Sequence, residues 1–162
     1  MNRIFSVLVE NRSGVLSKVS GLFSRRSFNI DSLAVGETED KSVSLMTIVS
    51  SGTPQTLEQI EKQLNKKLDV IKIKTFEQSQ AVPRELMLIK VRYSKSNRRE
   101  IMETAEVMKA EIVDMSKNLM MLQLCDTPEK VNLLISMLSA TTSIVEVART
   151  GTLALAKCLE SE

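Results

Sequence analysis

Apolar positions along the chain fall into short dense runs and helical stripes that alternate in a fixed order. Residues 3–9, Arg-Ile-Phe-Ser-Val-Leu-Val, have the β-branched and apolar density of a buried strand. From Gly14 to Arg26 the period changes. Val15, Leu16, Val19, Leu22 and Phe23 share one face of a helix, with Lys18, Arg25 and Arg26 elsewhere and Ser13 placed as the N-cap. Asn29–Val35 and Val43–Ser50 read as strands separated by a polar hairpin loop, Gly36 to Lys41. Thr53 then supplies an N-cap and Pro54 sits at the first helical position, where its missing N–H costs nothing. Leu57, Ile60 and Leu64 form that helix's stripe, and Leu68–Phe76 returns as a strand.

This β-α-β-β-α-β order predicts a ferredoxin-like unit, a four-stranded antiparallel sheet with both helices on one face. Glu77–Pro83 is polar, ends in proline and reads as a linker. The same order then starts again. Strands are expected at Glu85–Val91, Glu111–Met115, Leu119–Cys125 and Ser143–Arg149, and helices from about Asn97 to Lys109 and from Thr127-Pro128 onward. The second of these helices carries the stripe Val131, Leu134, Ile135 and Leu138, and its Thr-Pro opening repeats Thr53-Pro54. The predicted class is α+β, two tandem ferredoxin-like βαββαβ domains at 1–76 and 84–162 joined by the linker 77–83.

Composition narrows the chemistry. Twenty-two basic against twenty acidic residues are too balanced to imply by themselves a nucleic-acid or membrane partner. The longest apolar runs, such as Leu86–Ile89 and Leu119–Leu122, fall far short of the roughly 20 residues of a membrane span. After one strand the N-terminus reaches the charged Glu10-Asn11-Arg12 without the apolar core of a secretory signal, so the cytoplasm is the expected location. There is no histidine, which removes the usual neutral-pH acid/base and the commonest metal ligand. Cys125 and Cys158 stand far apart with no metal-ligand spacing and read as reduced thiols. No catalytic residue and no metal ligand set is predicted.

The segment Glu10-Asn11-Arg12-Ser13-Gly14-Val15-Leu16 joins a strand to a helix, so backbone N–H groups at a helix start face outward and favour a carboxylate or phosphate. Gly14, lacking a Cβ, admits a ligand close to the backbone. A plain turn gives the same pattern, and both readings stay open on these residues alone. Asn29 opens the next strand at the far end of the first helix, so one chain does not bring it beside Asn11. A second subunit joined sheet edge to sheet edge would.

Several blocks together carry a resemblance. Arg3 to Asn11, Ser13 to Ser17, Gly21 to Arg26, Phe28 to Leu33, Leu57 to Leu64, Arg84 to Val91 and Ile144 to Gly151 resemble acetohydroxyacid synthase small subunits, whose N-terminal part is an ACT domain. The resemblance implies a non-catalytic regulatory subunit of branched-chain amino acid biosynthesis. It implies a homodimer that binds valine, or another branched-chain amino acid, at the ACT interface and activates and feedback-inhibits a catalytic large subunit. Thiamine diphosphate, FAD and magnesium are then expected in that partner and no cofactor in this chain. Asn11, Gly14 and Asn29 match the effector-site positions, with Ser17 one turn further along the helix. Ser27 departs from the pattern, since relatives usually show glycine there.

An amino acid is a zwitterion. Backbone N–H groups from about Gly14 through Val15 to Leu16 suit its carboxylate, Asn11 and Asn29 oxygens its ammonium, and Val15, Ile30 and Val35 a branched side chain. Three rivals are weaker. An RNA-binding module of this fold needs aromatics on its central strands, and Ser42–Ile48 has none. An enzyme of acylphosphatase type needs a phosphate-cradling loop with a dedicated arginine, for which Arg12 is the only candidate. An ACT-domain amino-acid sensor of another pathway fits the loop but not the later blocks.

Overall fold

Alternation along the first strand decides the layering. Phe5, Val7 and Val9 lie on one face and are fully buried, and successive strand residues point to opposite faces, so this face must be the one the helices cover. The structure, a computed structural model, describes residues 2–158. Over that range the order is β1 (Asn2–Glu10), α1 (Val15–Arg25), β2 (Ser32–Glu37), β3 (Val43–Ser51), α2 (Pro54–Asn65) and β4 (Val70–Phe76). A 3-10 turn at Gln78–Gln80 follows, then β5 (Ala81–Arg92), α3 (Arg98–Met108), β6 (Glu111–Met115), β7 (Leu119–Asp126), α4 (Pro128–Thr141), β8 (Ile144–Arg149) and β9 (Leu153–Ala156).

The chain divides into two compact units. One takes in the chain up to Val82 and again from Thr152, and the other is Pro83–Gly151. The first unit's sheet has the order β2-β3-β1-β4, all antiparallel, which leaves β2 and β4 at the edges. Val15, Val19, Leu22 and Phe23 of α1 and Leu57, Ile60 and Leu64 of α2 close over the sheet in one core. The second unit repeats the plan with the order β6-β7-β5-β8, and β9 also pairs β5. Its core joins Met87, Ile89 and Val91 of β5 to Ile101 and Ala105 of α3 and to Val131, Leu134 and Leu138 of α4. Thr53 and Thr127 both cap their helices, accepting from the backbone N–H of Thr56 and Lys130. The two-fold βαββαβ expectation holds, and Cys125 and Cys158 are both free and exposed.

Helix α1 ends in a left-handed turn. The Ser27 N–H donates to the Ser24 carbonyl (3.2 Å) and the Phe28 N–H to the Phe23 carbonyl (3.0 Å), while the Phe23 and Phe28 rings meet edge to face at 6.4 Å. This places Ser27 at φ 55°, the region where a side chain is strained. Ser27→Gly is therefore expected to raise stability by about 1 kcal/mol, a shift of roughly 2–4 °C in melting temperature. A melting temperature unchanged or lowered in calorimetry would show that this turn carries no strain.

Several local expectations change. Ser13 does not cap α1; the cap position is Gly14, at φ 85°, with no side-chain cap hydrogen bond. Strand β2 begins at Ser32, so Asn29 and Ile30 precede it, because the turn after α1 is still reversing the chain there. The segment expected as a linker is ordered structure. Glu77 and Gln80 cap the 3-10 turn reciprocally, and β5 runs from Ala81 through Pro83. Pro83 lies ahead of the residues of β5 that pair with β7, from Glu85, and with β8, from Met87.

The segment after Gly151, expected as the tail of the second domain, packs instead with the first. Thr152 donates its N–H to Ser32 Oγ (2.7 Å), and Ala154 joins Ile4, Phe76 and Ala81 in a small cluster on the helix-free face of the first sheet. Residues 1 and 159–162 of the two expected domains lie outside the described residues.

Candidate functional site

The loop between β1 and α1 is held from two sides. On one side the Asn11 N–H donates to the Ser42 carbonyl (2.7 Å), and Asn11 Nδ2 donates to the Lys41 carbonyl (2.8 Å) and to Glu37 Oε1 (3.1 Å). The amide thus spends its donors on the end of β2 and the hairpin after it, leaving Oδ1 as an acceptor. On the other side the buried carboxylate of Asp69, in the turn between α2 and β4, accepts from Arg12 Nε (3.0 Å), Arg12 Nη2 and Lys18 Nζ (2.9 Å). Glu10 adds a second partner for Arg12 at 2.9 Å, and its own N–H donates to the Asp69 carbonyl. Arg12, though its side chain is 58% exposed, thus clamps the loop to the Asp69 turn.

Between these anchors the helix start is bare. Val15 donates its N–H to the Arg12 carbonyl (3.3 Å), and Lys18 makes the first helical bond, to Gly14. The N–H groups of Leu16 and Ser17, in the first turn, have no acceptor among the described residues, as the geometry of a helix start dictates when no side chain caps it. A Cβ on Gly14 would meet nothing within 4 Å, so the approach to these donors is open.

The remaining expected site residues are placed unevenly. Leu16 and Val35 are 46% and 44% exposed and present apolar surface. Val35 pairs with Met46, on the helix-covered side of the edge strand β2. Val15 is 2% exposed and packed in the core, so it cannot form a ligand wall as expected; its helical position turns the side chain inward. Ile30 is half-buried against the same core. Asn29 is exposed, its Nδ2 donating to Asp31 Oδ1 and its carbonyl accepting from Ser50 Oγ (2.6 Å). Asn11 meets Ser42, just ahead of β3, and Asn29 meets Ser50 near its other end, points roughly 26 Å apart along the strand. One chain does not bring them together.

The clamp is the part of the site that sequence reading missed. Lys18 and Arg12 hold the Asp69 carboxyl below the usual carboxylate range, the Lys18 hydrogen bond having the larger effect, and Asp69 in turn raises the Arg12 guanidinium. A carboxyl lowered in the folded state stabilises it fully above about pH 4, and that stabilisation is lost as pH falls through the lowered value. Asp69→Asn is expected to remove this component from the acid limb of the stability profile, read as urea midpoints from about pH 2 to 6. An acid limb identical to that of the parent would show that the clamp is not formed in solution.

Among the described residues no group of three or more carboxylates or cysteines is placed to hold a metal, and no helix is long and apolar enough to cross a membrane. Residues 5–72 match the model for the AHAS small subunit-like ACT domain, and residues 84–158 match that for the small subunit of acetolactate synthase. The acetolactate synthase small subunit of Haemophilus influenzae is 45% identical, covering 97% of this chain and 96% of that one. The isozyme 3 small subunit of Escherichia coli is 43% identical over the same shares. The crystal structure of the Thermotoga maritima acetolactate synthase small subunit aligns with a TM-score of 0.90 at 35% identity, covering 98% of this chain and 99% of that one. Two tandem ferredoxin-like units, an ACT match over the first and full-length relatives of one kind agree: the chain belongs to the family of acetolactate synthase small subunits, the regulatory subunits of acetohydroxyacid synthase.

Proposed function

We propose that this subunit is a cytoplasmic homodimer that binds valine, or another branched-chain amino acid, between two ACT units and so sets the activity of the catalytic large subunit. The observation that carries the reading is the bare start of α1 beside Asn11, at one end of the free edge strand β2, with Asn29 just ahead of the other end. Antiparallel pairing of β2 with β2 of a second copy sets the start of one strand against the end of the other. Asn29 and Ile30 of one copy then face Asn11, Gly14 and Leu16 of its partner, on both sides of a two-fold axis.

The donors and acceptors match a zwitterion. The Leu16 and Ser17 N–H groups and the positive helix end take the carboxylate. Asn11 Oδ1 and the Asn29 side-chain oxygen take the ammonium, and Leu16, Ile30 and Val35 surround the branched side chain. Because the ligand touches both copies, it favours the paired arrangement and biases whatever is docked on the dimer. Thiamine diphosphate, FAD and magnesium belong to the large subunit, which houses the reaction.

Reconstitution tests this. The purified chain with pyruvate and thiamine diphosphate is expected to form no acetolactate. Added to its cognate large subunit, it is expected to raise activity and confer inhibition by valine. Turnover by this chain alone, or a reconstituted enzyme indifferent to branched-chain amino acids, would refute the reading.

A further inference from the structure

The first sheet has a second face that the helices do not cover. Because Phe5, Val7 and Val9 point into the core, Ser6 and Leu8 point away from it. On this face lies a cavity of about 300 Å³, at the lower end of the range for small-molecule sites. Leu8, Leu45 and Phe76 line it from the sheet, and Leu155 of β9 lines it from the terminal segment.

Three polar groups stand in this apolar setting. Ser6 is 6% exposed, borders the cavity, and its hydroxyl makes no hydrogen bond among the described residues. Its oxygen still reaches solvent and is free to bond a ligand in the cavity it borders. Lys74 is the cross-strand partner of Ser6, and Lys72 that of Leu8, so both lysines rise from β4 along the cavity rim. Neither ammonium has an ion-pair partner among the described residues.

We infer that this cavity is a second ligand site, for a small free carboxylate with an apolar chain. The chain occupies the space between Leu8, Leu45, Phe76 and Leu155, and the carboxylate accepts from Ser6 Oγ and the two ammonium groups. An uncharged apolar ligand would leave the lysines and the serine unanswered, and a fully polar anion would waste the walls. None of the residues of the proposed effector site takes part, so this inference stands or falls independently of that reading.

Calorimetry on the full chain tests it, with octanoate as the probe and octanamide as its neutral counterpart. Octanoate is expected to bind one per chain, and octanamide on the order of tenfold more weakly or worse. The double variant Lys72→Gln, Lys74→Gln should erase that preference, and Ser6→Leu should fill the cavity and abolish binding of both. The double variant decides alone if Ser6→Leu fails to fold, since both lysines are exposed. The inference is overturned if octanoate does not bind, if octanamide binds equally well to the parent chain, or if the preference survives the double variant.

Discussion

Gly14→Asp is expected to abolish the valine response while leaving the fold intact. The backbone at Gly14 is left-handed, and aspartate and asparagine are the side chains that tolerate this region best. A Cβ there meets nothing within 4 Å, so bulk alone does not disturb the loop. A carboxylate here also lies near the positive start of α1, which favours the helix. What changes is charge at the place where the effector's own carboxylate would lie. Like charges about 4 Å apart at an effective dielectric near 20 repel by roughly 4 kcal/mol, close to three powers of ten in affinity. Gly14→Asn has the same shape without the charge and is expected to retain most of the binding. Valine calorimetry on the pair isolates the charge. An unchanged affinity in Gly14→Asp would place the effector elsewhere.

The loop shows which parts of a site a sequence displays. That a helix starts beside Gly14 was legible, because a glycine ahead of an apolar stripe is a local pattern, but its bareness was not, since Ser13 reads as a cap that it does not supply. The separation of Asn11 from Asn29 was legible as well, since it follows from the direction of one strand and one helix. The clamp was not. Asp69 lies 57 residues from Arg12 and 51 from Lys18, and no periodicity marks a carboxylate in a turn as their shared partner. The burial of Val15 was misjudged for a related reason. It belongs to the same stripe as Val19 and Leu22, and a residue cannot serve both the core and a ligand. Strand β9 was missed because Leu-Ala-Leu-Ala is too short to show a period and is half alanine, a poor strand former. Its position depends on Ile4, Phe76 and Ala81, residues that the chain brings to it only on folding.

In the second unit the largest expected effect comes from Arg149. Its guanidinium grips Glu85 with two parallel bonds, Nε to Oε1 at 2.7 Å and Nη2 to Oε2 at 2.8 Å, and Nη1 donates to Asn132 Oδ1 at 2.9 Å on α4. Glu85 is 4% exposed, so its carboxylate has given up water for this one fork. Such a pair adds little over an apolar pair of the same shape, but breaking one half strands a buried charge, which costs about 3–5 kcal/mol. Arg149→Met keeps the stem packing and removes the fork, and its expected cost is about 3 kcal/mol, the lower end of that range, because Arg149 itself is partly exposed. The chain holds one tyrosine and no tryptophan, and that tyrosine, Tyr93, packs against the second core. Intrinsic fluorescence during urea unfolding therefore follows this unit without interference from the first. The double variant Glu85→Leu, Arg149→Met removes the stranded charge and is expected to recover most of the loss. A single variant within about 0.5 kcal/mol of the parent, the spread of an ordinary surface substitution, would show that Glu85 is solvated in solution and the fork dispensable.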